Sequence, residues 1–368
     1  MARARDLAER GRNTATPNPV VGAVVVRTGS VVGEGWHIRP GEDHAEVMAL
    51  KAAGEAACGA TMYVTLEPCN RHRLTPGLPC TSAIERAGVR RVVVGHLDPN
   101  PQMSGESIRI LQGAGVEVEV LQAPKFARQN EQFFLAMRRR RPFVHIKLAA
   151  SLDGCLSPAA GVRSWLTGWP ARRKVHTMRA AAGAVMVGAG TVRTDDPHLG
   201  ARGVPGSPPV VRAVLDPRLT TTADSRLAQT AREEPVAVFC APRPEEGRRE
   251  SLELAGVEVV PVGESEAGLD LEEVLIELFN RGSRGLLVEG GGVTAARFVE
   301  AGLVDKVTLF YAPTILGAGG VPMVGGLDLK TLKAAGGSPR FDVDSIERVG
   351  EDVMLTLYPQ EEHVYRAS

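Results

Sequence analysis

Hydrophobic and polar positions in the first third of the chain follow the spacing of strands and helices in turn. Val20–Val26 is an apolar, β-branched run that predicts a strand, and Thr28-Gly29-Ser30 predicts a turn into a second strand over Val31–Trp36. Residues 2–10 and 44–53 have the spacing of helices. Further strands are predicted at Thr61–Leu66, Arg91–Gly95 and Val116–Leu121, and further helices at Thr81–Ala87 and Glu106–Gly113.

The same alternation resumes beyond a basic run, residues 137–141, which ends at Pro142 and predicts a solvated domain junction. The predicted strands are Phe143–Ala149, Ala184–Val187, Val210–Leu215, Val236–Cys240, Val257–Val260, Gly285–Glu289 and Lys306–Tyr311. The predicted helices are Trp169–Ala181, Leu271–Arg281 and Thr294–Ala301. Strands separated by helices predict a largely parallel sheet covered on both faces, so the fold class is α/β.

Length and charge narrow the class of protein. A chain of 368 residues predicts two domains. Lysine plus arginine equals aspartate plus glutamate at 43 each, which argues against binding along a nucleic-acid backbone. The sequence has no apolar run of membrane-spanning length, no secretion signal, and five cysteines, too few for a disulfide framework. We therefore expect a cytoplasmic protein without nucleic-acid or membrane partners.

One constellation of residues indicates a catalytic metal. His44-Ala45-Glu46 is followed by Glu67-Pro68-Cys69 and then by Cys80. Zinc favours imidazole and thiolate ligands, and a catalytic zinc keeps one position open for water. His44, Cys69 and Cys80 would be its ligands, and Glu46 would move protons beside it. This is the His-x-Glu…Pro-Cys…Cys arrangement of zinc deaminases.

The expected placement of these residues supports the same interpretation. Asp43 is a candidate cap for the helix that carries His44, and Cys69 is expected at a helix start after Pro68, where the positive helix end favours a thiolate. A structural zinc with His72 as fourth ligand is the alternative. The loop between Cys69 and Cys80 is longer than the common Cys-x-x-Cys spacing, which indicates a subfamily.

Eight further segments match one known family. In the first half they are Thr16–Ala23, Gly41–Glu46, Val64–Cys69 and Asp98–Pro101; in the second half they are Lys147–Gly154, Val187–Val192, Asp195–Pro197 and Glu289–Gly292. In this order, from near residue 1 to about residue 355, they resemble the bifunctional deaminase–reductases of riboflavin biosynthesis.

The resemblance implies both fold and activity. It implies a cytidine-deaminase-like three-layer domain over residues 1–122, a linker over 123–142 and a dihydrofolate-reductase-like α/β domain over 143–360. Zinc-dependent deamination of 2,5-diamino-6-(ribosylamino)-4(3H)-pyrimidinone 5′-phosphate would be followed by reduction with NADPH, giving 5-amino-6-(5-phospho-D-ribitylamino)uracil. A homo-oligomer is also implied.

Site residues carry over by position. Zinc would be held by His44, Cys69 and Cys80, with Glu46 as proton carrier. Substrate contacts would come from Asn18, Asp98, Asn100, Lys147, Arg179, Leu199, Arg202 and Glu289. NADPH contacts would come from Ala149, Trp165, Thr191, Asp195, Gly291, Gly292, Val293, Thr294 and Ala295. From the residues alone, the glycines near 188–190 lack the third glycine of a dinucleotide fingerprint.

The sequence departs from the family at two places. The loop over residues 70–79 is about two residues longer than usual, and Arg163 stands where the family tends to have a substrate-binding serine. The altered loop motivates a second hypothesis, a reductase whose deaminase half is inactive or redirected to another pyrimidine. Two further hypotheses are an RNA-editing deaminase and a scaffold with structural zinc.

Overall fold

The computed structural model describes residues 1–70, 78–101, 103–265, 268–326 and 337–360. The chain divides into two compact units, the first over residues 1–140 and the second beginning at Arg141. Each unit has its own main β-sheet. Within the described ranges, every helix is too short or too polar to cross a bilayer.

The first unit is an α/β fold with a five-stranded sheet. Its elements are α1 Ala2–Glu9, β1 Gly22–Arg27, β2 Ser30–Trp36, α2 Ala45–Ala53, β3 Thr61–Val64, α3 Cys80–Arg86, β4 Arg91–Val94, α4 Glu106–Gly113, β5 Glu117–Val120, α5 Pro124–Gln129 and α6 Glu131–Arg139. The strand order is β2-β1-β3-β4-β5. β1 is antiparallel to both β2 and β3, whereas β3, β4 and β5 run parallel.

Helices cover both faces of this sheet. Successive side chains of a strand point to opposite faces. Val25 accordingly packs in a buried cluster with Ala49 of α2 and Ile84 of α3, while its neighbour Val24 packs with Leu7 of α1. The first unit therefore has three layers.

The second unit has a nine-stranded sheet. The helices and strands of this unit are β6 Phe143–Ala150, β7 Cys155–Ser157, α7 Trp169–Ala182, β8 Ala184–Gly188, α8 Ala189–Asp195, β9 Val211–Leu215, α9 Arg226–Gln229, β10 Val236–Cys240, α10 Glu246–Ala255, β11 Glu258–Pro261, β12 Glu264–Ser265, β13 Gly268–Leu269, α11 Leu271–Asn280, β14 Gly285–Val288, α12 Gly292–Glu300, β15 Lys306–Tyr311, β16 Val321–Pro322, β17 Phe341–Val349 and β18 Asp352–Pro359. The order is β11-β10-β9-β8-β14-β6-β15-β18-β17.

The connections of this sheet change direction between β8 and β14. β11, β10, β9, β8, β14, β6 and β15 are parallel, and β18 and β17 complete the sheet as antiparallel strands. The chain runs outwards from β8 to β11 and returns to β14, which leads through α12 to β15. Crevices at such a reversal, beyond the carboxyl ends of the strands, are where parallel sheets bind ligands.

Two local predictions around the metal motif are wrong. Cys69 does not begin a helix, because α3 starts at Cys80, with Pro79 as its N-cap. Asp43 does not cap α2 either: the N-cap is His44, and the Asp43 carboxylate accepts a hydrogen bond from Lys51 at 2.5 Å. The positive end of α3 nevertheless faces Cys69, because the backbone N–H of Cys80 donates to Cys69 Sγ at 3.5 Å.

The region predicted as a linker contains regular structure. Within residues 123–142, α5 and α6 form part of the first unit. The basic run is not uniformly solvated, because the buried Arg141 donates to both carboxylate oxygens of Asp305, at 2.6 and 2.9 Å. The backbone N–H of Val144 at the start of β6 donates to the same carboxylate at 2.7 Å. This ion pair ties the entrance of β6 to the start of β15.

Candidate active sites

Three metal-ligand side chains converge in the first unit. His44 precedes α2, Cys69 lies in the loop after β3, and Cys80 is the first residue of α3. His44 Nδ1 lies 3.3 Å from Cys80 Sγ and 3.4 Å from Cys69 Sγ, and the two sulfur atoms are 3.4 Å apart. The structure therefore brings together the three predicted ligands.

This donor set fits zinc. A tetrahedral ion with Zn–S bonds of about 2.3 Å and Zn–N bonds of about 2.0 Å places its ligand atoms roughly 3.5–3.8 Å apart. The observed triangle is close to that size. Within the described residues, the cluster offers three ligand atoms, as a catalytic zinc requires. His72, the alternative fourth ligand, lies outside the described residues.

A buried carboxyl group accompanies the cluster. Glu46 is 3% exposed, and burial raises the pKa of its carboxyl group to about 7. The hydrogen bond from Cys80, and next the one from His44, lower the pKa of the Cys69 thiol to about 4, while the pKa of Cys80 is raised by its contact with Cys69. The site therefore combines a thiolate with a carboxyl group able to exchange a proton near neutral pH.

His37, which the sequence reasoning missed, connects a predicted substrate residue to this cluster. Its buried ring meets the His44 ring edge to face, with centroids 5.3 Å apart. Its Nε2 lies 3.0 Å from Asn18 Nδ2. Burial lowers the pKa of His37, which favours the neutral imidazole that can accept from the Asn18 amide. Asn18 is thereby held near the metal ligands.

Glu67 organises the loop that carries the other predicted substrate residues. This buried carboxylate accepts from the backbone N–H groups of Asp98 and Gly105 at 3.0 Å each, and from the Ser107 hydroxyl at 2.6 Å. Asp98 in turn accepts from the N–H of Asn100 at 2.8 Å. Its position between a strand and Pro68-Cys69 was the only sequence signal for Glu67.

The second unit contains a cavity of about 690 Å³ at the carboxyl ends of β6 and β14. Its lining includes the predicted residues Lys147, Ala149, Trp165, Arg179, Thr191, Asp195, Leu199, Arg202 and Glu289. The Arg179 guanidinium donates to both Glu289 carboxylate oxygens, at 2.5 and 3.0 Å, and Lys147 Nζ lies 3.9 Å from the same carboxylate. Burial lowers the pKa of Lys147.

The departure at Arg163 has a defined structural setting. Trp165 lines the cavity with 64% of its surface exposed, and the guanidinium carbons of Arg163 and Arg172 lie 4.9 and 5.0 Å from its ring centroid. Such cation–π contacts hold an aromatic ring and add positive charge to the cavity. Arg163 and Arg172 were not among the predicted site residues.

A groove of about 660 Å³ adjoins the cavity and shares Lys147, Ala149 and Thr191 with it. The predicted cofactor residues Gly291, Gly292, Val293 and Thr294 line this groove where β14 leads into α12. Ala295 is 1% exposed and packs in the core. A Cβ atom at Gly188 would lie 2.7 Å from Thr294 Oγ1, so glycine there permits β8 to approach α12 closely.

Comparison with known proteins covers both units. Residues 142–355 match the family model of the RibD C-terminal domain, and residues 1–96 match the cytidine and deoxycytidylate deaminase zinc-binding region. The chain is 40% identical over 356 residues to the riboflavin biosynthesis protein RibD of Aquifex aeolicus, covering 96% of each chain. It is 39% identical to the protein of that name from Escherichia coli, covering 97% of this chain and 98% of the other.

Solved structures give the same result. RibD of Acinetobacter baumannii, form 1, matches with a TM-score of 0.87 and 34% identity, covering 98% of this chain and 97% of that chain. A diaminohydroxyphosphoribosylaminopyrimidine deaminase/5-amino-6-(5-phosphoribosylamino)uracil reductase of Thermotoga maritima matches with a TM-score of 0.81, 33% identity and the same coverage. The similarity therefore extends through both units.

Proposed function

The chain belongs to the RibD family of bifunctional deaminase–reductases of riboflavin biosynthesis, and on that premise we propose which of its residues perform the two reactions. The first unit would deaminate the diamino-pyrimidinone ribosyl phosphate. The second would reduce the ribosyl chain with NADPH to the ribityl product. The observation that carries the proposal is the triangle of His44, Cys69 and Cys80 with Glu46 buried beside it.

For deamination, His44, Cys69 and Cys80 hold zinc, which when bound acts as a Lewis acid and lowers the pKa of water. Glu46 accepts one proton from the attacking water and delivers it to the ring nitrogen. It then accepts the second proton, from the hydroxyl group added to the ring carbon, and delivers it to the amino group, which leaves as ammonia. The raised pKa of Glu46 suits this exchange, because both its protonated and ionised forms are populated near neutral pH. Asn18, Asp98 and Asn100 orient the pyrimidine and its ribose phosphate.

For reduction, NADPH supplies a hydride when bound, and the protein supplies binding and orientation. Arg179, Arg202 and Lys147 place positive charge in the cavity, where a sugar phosphate needs it. Glu289 fixes Arg179, and Leu199 lines the same cavity. The cofactor would occupy the groove, with its pyrophosphate at the amino end of α12, where the first backbone N–H groups, those of Gly292 and Val293, have no acceptor within the helix.

Product analysis by mass spectrometry tests the two halves separately. Zinc-loaded protein is incubated with the diamino-pyrimidinone ribosyl phosphate, with and without NADPH. We expect the deaminated ribosyl product without NADPH and its ribityl form with NADPH. If deaminated product never forms while supplied intermediate is reduced, the first activity is absent and only a reductase remains. If supplied intermediate is not reduced, the reductase assignment is wrong. A homo-oligomeric state and a cytoplasmic location stay predictions.

A further inference from the structure

We propose that Arg193 and Arg218 form a subsite for the 2′-phosphate of NADPH beyond the carboxyl end of β9, and so select NADPH over NADH. The proposal rests on the reductase function proposed above. It adds two residues that neither the motifs nor the family resemblance assigned. Its basis is the order of the strands beneath the groove, the hydrogen bonds of one buried carboxylate, and the position of two exposed guanidinium groups.

The sheet order gives the cofactor a direction. The substrate cavity meets the groove at Lys147 and Ala149 of β6 and at Thr191 of α8, which line both spaces, whereas the residues at the end of β9 line the groove alone. The nicotinamide must be beside the substrate, so it belongs at β6. The glycine turn at the start of α12 follows β14, the next strand in the order β9-β8-β14-β6. A pyrophosphate placed there directs the adenosine half towards β8 and β9.

The distances agree with this direction. Neighbouring strands lie about 4.8 Å apart, so β9 is roughly 10 Å from β14 across the sheet. That separation suits the path from a pyrophosphate to the far side of its ribose. The groove extends to this point, because Leu215, Asp216, Pro217 and Arg218 at the end of β9 line it. The adenosine ribose would therefore lie over these residues.

The carboxylate at this strand end is not available to a ribose. Enzymes that use NAD commonly present an acidic side chain to the ribose 2′-hydroxyl, whereas those that use NADP place an arginine nearby. Asp216 is 1% exposed. Its carboxylate accepts from the Thr221 backbone N–H at 2.7 Å, the Thr221 hydroxyl at 2.8 Å and the Thr220 hydroxyl at 3.0 Å. Asp216 thus holds the Thr220–Thr221 segment in place, and its carboxylate is not directed at the site where a ribose 2′-phosphate would bind.

Two arginines stand at the same end of the groove. Arg193 of α8 and Arg218 after β9 both line it and are exposed. Arg193 Nη1 donates to Thr220 Oγ1 at 3.0 Å, which fixes one nitrogen and leaves other donors of the fork. Neither arginine has a carboxylate within ion-pair distance in the part of the chain that the structure describes. Guanidinium groups bind phosphates through paired hydrogen bonds.

The other cations of the groove are already engaged. Lys147 lies beside Glu289, and Arg297 donates to the backbone carbonyl of Leu269 at 2.6 Å. Arg297 is also half-buried beside α12 rather than at the end of β9. Arg193 and Arg218 are therefore the pair best placed to receive a phosphate on the adenosine ribose.

Binding measurements test the subsite without turnover. Isothermal titration calorimetry compares adenosine 2′,5′-bisphosphate with adenosine 5′-monophosphate on the full chain, on Arg193→Ala/Arg218→Ala, and on Arg243→Ala, an exposed arginine that lines neither space. We expect the double variant to bind the bisphosphate about ten- to a hundredfold more weakly and the monophosphate as the parent does. Arg243→Ala should match the parent with both ligands.

Steady-state reduction of the deaminated intermediate gives the second readout. We expect kcat/KM for NADPH to fall by the same factor in the double variant, and kcat/KM for NADH to stay within about twofold. An unchanged preference for the bisphosphate over the monophosphate, or an equal loss with both cofactors, overturns the subsite. If the parent reduces with neither cofactor yet prefers the bisphosphate in the calorimeter, the reductase function fails and the subsite stands.

Discussion

Arg179 and Glu289 form a two-point ion pair in the wall of the reductase cavity, with nitrogen–oxygen distances of 2.5 and 3.0 Å. Lys147 lies 3.9 Å from the same carboxylate. Burial alone would raise the pKa of Glu289, but Arg179 and then Lys147 outweigh it, so the pKa lies below its usual value. One ionised carboxylate thus faces two partly buried cations, so this wall of the cavity keeps net positive charge.

Glu289→Ala should destabilise the second unit by about 3 kcal/mol, because the mostly buried Arg179 loses its carboxylate partner and is left with its hydrogen bond to the Gly200 carbonyl. Urea unfolding, monitored by hydrogen exchange of the β14 backbone amides, measures this change in the free energy of unfolding. Glu253→Ala, which removes the surface partner of Arg249, is the matched control and should leave exchange unchanged. Equal effects of the two substitutions would show that the buried pair contributes no more than a surface pair.

Glu46→Gln should lower ammonia release by about 10²–10⁴-fold, since it removes the proton carrier while keeping the side-chain shape. Zinc content, measured by inductively coupled plasma mass spectrometry, should stay at the parent level because the three ligands are intact. Reduction of supplied intermediate should not change. Unchanged ammonia release from a folded, zinc-containing variant would instead support a structural metal.

Glu67→Ala should raise the KM for the deaminase substrate by roughly tenfold, because the segment bearing Asp98 and Asn100 loses hydrogen bonds to a charged acceptor. Glu67→Gln keeps one carbonyl oxygen and should give an intermediate KM. Glu85→Ala, an exposed change on α3, serves as control. A fall in kcat with unchanged KM would count against a role in positioning substrate contacts.

His145 should make the second unit lose stability as the pH falls. Burial, and then Lys306, hold its pKa well below 6.5 in the folded state, and its Nε2 lies 2.8 Å from the Thr308 hydroxyl. The unfolded chain binds the proton more readily, so this contribution is fully present above pH 6.5 and declines below it by about 1.4 kcal/mol per pH unit. Hydrogen exchange in β6 and β14 between pH 7 and 5 measures the slope.

His145→Asn removes the titrating group and should flatten that slope, whatever its effect on stability at pH 7. The comparison with the parent isolates His145 from His176 and His198, whose pKa values burial also lowers. An unchanged slope in the variant would mean that other groups account for the acid sensitivity.

Much of the fold could be predicted from hydrophobic spacing. The α/β class, with a cytidine-deaminase-like first domain and a RibD reductase domain after it, is confirmed. Helix Glu106–Gly113 and strand Lys306–Tyr311 have the predicted bounds, because the helix is amphipathic and ends at a glycine, and the strand is rich in β-branched and aromatic residues and stops shortly before Pro313. The antiparallel pair β17 and β18 was missed, since its exposed edge strand mixes charged and apolar residues.

The site was predictable as a set of ligands but not as an arrangement. Motif spacing identified His44, Cys69 and Cys80. It placed a helix start at Cys69 instead of Cys80, because proline is frequent at the first position of a helix and Pro68 precedes Cys69. Arg141 could not be separated from the run of arginines around it, because its partner Asp305 is 164 residues away. Contacts at such sequence distances leave no local pattern.

The strand order of the second unit has a consequence for how the chain matures on the ribosome. All five strands of the first sheet lie within residues 22–120, so that unit can fold while synthesis continues. In the second sheet, β6 at residues 143–150 pairs with β14 and β15, and β15 pairs with β18 at residues 352–359. These partner strands are synthesised long after β6, so the sheet can be completed only near the end of synthesis. The nascent chain can therefore bring His44, Cys69 and Cys80 together well before its reductase half exists.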